Sequence, residues 1–180
     1  MATTTSASSR LLKGFPPVSA KDARVLILGS MPGAASLQAH QYYAHPHNRF
    51  WRMMAEVCGL DPSASYARRV AHLKRCGIAL WDVLAHCERS GSLDGAIVRE
   101  TEVPNDVAGL LARHRSIRAV ALNGGKAAQA FAQHVVPVLD DAVRARVAVL
   151  KMPSTSPANA SVPVARKVEA WKGIGRYLEG

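Results

Sequence analysis

The residues with the most chemical potential stand in three short stretches. The first two are Gly29-Ser30-Met31-Pro32-Gly33 and Tyr42-Tyr43-Ala44-His45-Pro46-His47-Asn48-Arg49-Phe50-Trp51. The third is Pro153-Ser154-Thr155-Ser156-Pro157-Ala158-Asn159, a hydroxyl-bearing loop stiffened by two prolines. A turn of small residues lets backbone approach a ligand, aromatic rings can stack on a planar one, and an amide can orient water through its carbonyl oxygen. Asn48 has two readings from residue type alone: a water-orienting amide, or the N-cap of a helix that starts beside it. Tyr42 and Tyr43, in polar company before that helix, suit a stacking platform as well as they suit packing.

Several chemistries are excluded by spacing. Gly29–Gly33 is not followed by Gly-Lys-Ser/Thr, and Asn123-Gly124-Gly125-Lys126 lacks the first glycine of a phosphate-binding loop. The dinucleotide fingerprint is also missing. His40, His45 and His47 have no nearby carboxylate or cysteine to complete a metal site, so no metal and no cofactor is expected. Cys58, Cys76 and Cys87 are widely spaced, form no paired-cysteine zinc signature and suit a reducing cytosol. Asp82, after Trp81, reads as the end of a strand and is given no catalytic role.

These loops need elements to hold them. Arg24–Leu28 is continuously apolar and β-branched in part, as a strand buried on both faces of a parallel sheet reads. Further strands are expected over Ile78–Leu84, Ile117–Leu122 and Val147–Met152. Helices are expected over Asn48–Gly59, Tyr66–Arg75, Pro104–His114 and Lys126–Val135. The final helix carries Val164, Val168, Trp171, Ile174 and Leu178 on one face. Phe50, Met53, Met54 and Val57 fall at i, i+3, i+4 and i+7, which makes Phe50 and Trp51 core residues. Glu88–Glu102 lacks periodicity and reads as loop. Alternating strands and helices give an α/β fold, a three-layer α/β/α sandwich around a four-stranded parallel sheet. Its strand-end loops then converge on one edge. Residues 1–12 read as a flexible tail and 13–180 as a single domain.

With 23 Lys and Arg against 13 Asp and Glu, the formal charge is +10, which favours a polyanion such as nucleic acid. At 48% hydrophobic, the chain is rich enough for a packed core. No apolar run approaches the length of a membrane span.

The glycine loop followed at its observed spacing by Tyr-Ala-His-Pro-His-Asn-Arg-Phe-Trp closely resembles the uracil-DNA glycosylase superfamily. The loop Pro153–Asn159 resembles that superfamily's second motif. Most members carry Asp or Asn at the third position of the first loop, where this chain has Met31, and His or Asn where Ser154 stands. Both departures resemble the hypoxanthine-DNA glycosylase branch, which moves catalysis to a downstream asparagine, matched here by Asn48.

The resemblance implies a monofunctional, base-excising DNA glycosylase acting as a monomer on double-stranded DNA in the cytoplasm. The damaged base would be flipped out, with hypoxanthine as the preferred base. It assigns Ser30, Met31, Gly33, Tyr43 and Asn123 to the base, with Tyr43 stacking on it. Lys126, Ser154, Thr155, Ser156, Ala158 and Asn159 are assigned to DNA, the last two as a wedge into the vacated stack. The alternatives are a mismatch-specific uracil glycosylase, or a non-catalytic nucleic-acid-binding protein of the same fold that lost hydrolysis at Met31.

Overall fold

The computed structural model describes residues 10–180. Its central feature is a parallel sheet in the order β3-β2-β6-β7, formed by β2 (Val25–Gly29), β3 (Ile78–Asp82), β6 (Ala119–Asn123) and β7 (Ala148–Met152). Every residue of β2, β3 and β6 is buried, which is why those segments read as unbroken apolar runs.

Strand pleating sends alternate side chains to opposite faces. Val25 and Ile27 join Phe50, Met53, Met54, Leu73, Trp171 and Ile174 in one core. Leu26 and Leu28 join Leu110, Leu111, Phe131 and Val143 in the other. The first face is covered by α2 (Phe50–Cys58), α3 (Tyr66–Arg75) and α7 (Val164–Lys172). The second is covered by α4 (Val107–Arg113), α5 (Gly125–Ala130) and α6 (Asp141–Arg146). The three-layer α/β architecture read from the sequence is the observed one.

Local chemistry sets the helix starts. The Ser65 hydroxyl accepts from Arg68 N–H, Asp106 from Gly109 N–H and Asp140 from Val143 N–H, so each of α3, α4 and α6 begins on a side-chain cap. Two short helices escape a reading by periodicity, α1 (Ala34–Ala39) and α6, because six residues hold less than two turns.

A second sheet corrects the sequence reading. β1 (Arg10–Lys13), β4 (Leu84–Arg89) and β5 (Ile97–Pro104) form an antiparallel sheet in the order β1-β4-β5. Glu88–Glu102 is therefore not a loop: only its middle is irregular, and its ends are strands interrupted by register shifts. β5 reads Ile-Val-Arg-Glu-Thr-Glu-Val-Pro, mostly turned to solvent, so it lacks the apolar signal. The expected tail fails at Arg10–Leu12, which pair with Arg89, Glu88 and Cys87; residues 1–9 lie outside the described residues. The expected strand Ile78–Leu84 splits at Val83, where the chain leaves the parallel sheet for the antiparallel one. The final helix also differs, since Val164 is exposed while Lys167 is buried.

Candidate active site

The three chemistry-bearing loops meet at the carboxyl ends of β2, β6 and β7, on the edge where open α/β sheets bind ligands. Gly29 ends β2 and lies level with Asp82, the last residue of β3. The loop is sewn to the chain leaving β3, because Val83 N–H donates to Gly29 O and Leu84 N–H to Ser30 O. The Arg89 guanidinium holds its far side by donating to Pro32 O at 2.7 Å. Arg89 is buried, and its Nη1 has no partner within the protein.

Tyr43 stands at the centre. Its ring stacks on Phe50 at 3.9 Å with 16° between planes. The Asn123 amide donates to its hydroxyl at 3.3 Å. Its φ of +54° is left-handed, a conformation a tyrosine adopts only when its surroundings over-determine it. Burial, then the charge of Asp82, pushes its hydroxyl well above the ordinary tyrosine range, so the ring meets a ligand as a neutral phenol. Tyr42, by contrast, is core: its hydroxyl donates to Pro16 O and its ring packs edge-on to Phe15.

Asn123 is the joint between two loops. Its Nδ2 donates to Thr155 Oγ1 at 3.0 Å, and its Oδ1 accepts from Thr155 N–H at 3.0 Å. This reciprocal pair fixes the Pro153–Asn159 loop on the end of β6. Thr155 O then accepts from Arg49 N–H at 3.0 Å, which ties the start of α2 to the same point. The Gly124 turn, at φ +96°, lets the backbone pass Ser154 at a distance no side chain would permit.

Asn48 is half-buried, and its Oδ1 accepts from Phe50 N–H at 3.0 Å. The N-cap position itself belongs to Arg49, one residue later than the sequence suggests. Asn48 nevertheless supplies the capping bond.

The remaining assigned residues divide. Ser30 is buried beneath the loop and donates to Asp94 Oδ1 at 2.6 Å. Gly33 borders open space. Ser154 and Ser156 are half-buried, each bent over a backbone N–H two residues on, and Ala158 is exposed at the loop tip.

Three assignments are corrected by burial. The Met31 side chain packs in the core with Leu26 and Leu28, leaving only its backbone at the site. The Thr155 side chain, 1% exposed, is spent on Asn123 and cannot reach a phosphate. Lys126 is engaged by Glu102, whose fully buried carboxylate also takes His134 Nε2 at 2.7 Å. Burial pushes the Glu102 carboxyl up, but the bonds from Lys126 and His134 outweigh it and hold it below the usual range.

Two residues were not found by spacing. Lys167, 3% exposed, donates to Asn159 O at 2.6 Å and steadies the loop tip. With His47, Arg49, Ser156 and Asn159 it lines a basic hollow between the start of α2 and the Pro153–Asn159 loop. A lysine among the apolar residues of α7 was the available signal.

The other is Asp82, dismissed above as a strand end. It is 4% exposed, and its Oδ2 has no partner within the protein. Burial and, next, the charge of Asp94 push its carboxyl up to about 7, against the pull of Arg89. A carboxyl in that range can hold a proton or release it near neutrality. Four polar groups thus meet around Gly29: the Asp82 carboxyl, the Tyr43 hydroxyl, the Asn123 amide and the backbone of the glycine loop.

Comparisons with known proteins agree with this geometry. The family described as the uracil DNA glycosylase superfamily matches residues 16–174. A Methanosarcina barkeri protein named hypoxanthine DNA glycosylase is 40% identical over 118 residues, covering 65% of this chain and 73% of that one. A Methanosarcina acetivorans protein of the same name is 37% identical over the same shares. A solution NMR structure of a candidate uracil DNA glycosylase from Methanosarcina acetivorans superposes with a TM-score of 0.77 at 32% identity. It covers 95% of this chain and 100% of its own.

Proposed function

We propose that this chain, which belongs to the uracil DNA glycosylase superfamily, is a monofunctional DNA glycosylase that hydrolyses the glycosidic bond of deoxyinosine and releases hypoxanthine. Two relatives that bear the name hypoxanthine DNA glycosylase support the substrate. The observation that carries the mechanism is the buried Asp82 carboxyl, with a free oxygen, beside Tyr43 and Asn123.

The glycosidic bond is unreachable inside the stack, so the nucleotide is flipped into the strand-end crevice. Tyr43 supports the flipped base through its ring, backed by Phe50. Stacking of this kind is worth about 1–3 kcal/mol per base. Departure of a purine is eased when a ring nitrogen accepts a proton, and a carboxyl titrating near 7 is matched to that task. The leaving base takes the Asp82 proton as the bond to C1′ breaks, and the sugar passes through an oxocarbenium-like state.

Water then adds to C1′, and the proton it loses passes to the Asp82 carboxylate left by the first step or to solvent, which restores the acid. Asn48 is assigned to hold that water through its amide, as a positioning group rather than a base, because an amide has no useful basicity. Arg49 and the hydroxyls of Ser154 and Ser156 face the phosphates, while Lys167 holds the loop tip that carries them. Ala158 and Asn159 enter the gap left by the base. The enzyme acts as a monomer on double-stranded DNA, in the cytoplasm.

The solved relative titled as a uracil DNA glycosylase keeps a second reading open, in which uracil is the better base. Conversion of an inosine-containing duplex to alkali-labile abasic sites by the purified chain tests catalysis itself. A protein that binds this duplex and leaves no abasic sites would be a binding module.

A further inference from the structure

A second constellation forms where α2 and α3 end, beyond the half of each helix that faces the crevice. Cys58 is the last residue of α2, and Cys76 caps α3 one turn after His72. The i, i+4 spacing puts His72 and Cys76 on one face of α3. Folding brings that face to the end of α2, so that the donor atoms of Cys58, His72 and Cys76 all lie within 4.8 Å of one another. All three side chains are half-buried, within reach of a small ion. We propose that Cys58, His72 and Cys76 bind a borderline-soft divalent metal ion of the zinc type, through two thiolates and one imidazole, with water as the fourth ligand.

The donor set selects the metal. Sulfur and imidazole favour zinc over magnesium or calcium, which take oxygen. Tetrahedral zinc with bonds of about 2.3 Å to sulfur sets the sulfurs about 3.8 Å apart, so closure needs a contraction of at most about 1 Å. The ring is already anchored beside the thiols, its Nε2 standing 2.9 Å from Cys58 O. Metal-binding imidazoles use one nitrogen for the ion and the other for such an anchor. Arg75 Nη2, 3.5 Å from Nδ1, must swing aside, which an exposed side chain does readily.

The helix terminus also favours a cation here. The site lies at the carboxyl end of a nine-residue helix, where the last carbonyls carry the negative end of the dipole. On binding, each thiol gives its proton to solvent, and the two thiolates balance the ion's charge despite Lys74 and Arg75 nearby. A Cys58–Cys76 disulfide would use the thiols alone, with no role for the imidazole inside the same cluster. The ion would clamp the ends of α2 and α3 and stabilise the fold by mass action without entering the cleavage step.

The test uses the full chain, reduced and stripped of metal. Cobalt(II) should give a thiolate charge-transfer band and tetrahedral visible bands saturating at one equivalent, both displaced by zinc, and zinc should raise the melting temperature. The Cys58→Ser/Cys76→Ser double variant should lose the bands and the thermal shift, and His72→Ala should weaken zinc at least tenfold. Inosine cleavage by both variants in chelator certifies that they fold, whatever their metal affinity. No charge-transfer band, equal zinc affinity in the double variant, or thiol titration showing Cys58 and Cys76 already joined in reducing buffer would each overturn the proposal.

Discussion

The Asp82 carboxylate occupies the space that a side chain at Gly29 would fill: a methyl carbon there would lie 2.5 Å from Asp82 Oδ1 and 3.3 Å from the Tyr43 hydroxyl. The glycine at the end of β2 is thus what allows an acid and a phenol to share one floor. Gly29→Ala should push both groups away from the base. Displacements near 1 Å can cost about 100-fold in rate. Single-turnover cleavage of inosine-containing DNA is expected to fall by about that factor while the duplex still binds. Wild-type cleavage by this variant would show that the Asp82 position is irrelevant.

Asp82 itself should make both stability and rate fall as pH rises, over adjoining ranges. Burial keeps the native carboxyl protonated up to about 7, while the unfolded chain ionises near 3.8. The native state therefore binds the proton more tightly. Stability is full below the unfolded value, declines as pH rises from about 4 to about 7, and levels off above. The penalty is at most ~4 kcal/mol, from a shift of about three pH units. Asp82→Asn should lose cleavage by about 10²–10⁴-fold. Its stability relative to the wild type should be greater at pH 8 than at pH 4, as denaturant unfolding of both proteins at the two pH values would report. In the wild type, the single-turnover rate should drop as pH passes above about 7, and a pH-independent rate would remove Asp82 from proton transfer.

Asn48→Ala separates a cap from a catalytic group. Losing the bond to Phe50 N–H costs about 0.5–2 kcal/mol of stability. Losing the water-positioning amide costs orders of magnitude in rate. Asn48→Asp keeps both the capping acceptor and an oxygen that accepts from water, so it should restore the melting temperature and at least part of the rate. A near wild-type rate in Asn48→Ala with a lowered melting temperature would leave only the cap.

The basic surface should be read by salt. Log affinity for duplex DNA is expected to fall linearly with log salt. Arg49→Ala should reduce that slope by about one. Lys126→Ala should leave the slope alone, because Lys126 is held by buried Glu102, and should instead destabilise by about 1–3 kcal/mol. A slope change on Lys126→Ala would return that lysine to the DNA.

How much of this was legible in the sequence depended on which force placed each residue. β2 and β6 were visible because burial on both faces demands unbroken apolar runs, and α3 because Gly77 ends it. β4 and β5 were hidden, since an antiparallel pair with one wet face and shifted register carries Arg, Glu and Thr where a strand signal would stand. The loops Gly29–Gly33 and Pro153–Asn159 announced the site by composition. The direction each side chain takes was not in that composition: Met31 and Thr155 turn inward, and Lys126 is captured by Glu102 from another sheet. Asp82 was misread for a related reason. One carboxylate after Trp81 carries no motif, and only the register that sets it beside Gly29 gives it a role.

The central claim is that the crevice cleaves a deaminated purine, with the leaving base assisted by Asp82 and no carboxylate or amide at position 31 to drive water. Single-turnover rates on matched duplexes carrying inosine or uracil test it most directly. The account predicts inosine as the best substrate, with uracil slow or inert under the same enzyme excess. A rate on uracil equal to or above that on inosine would contradict it.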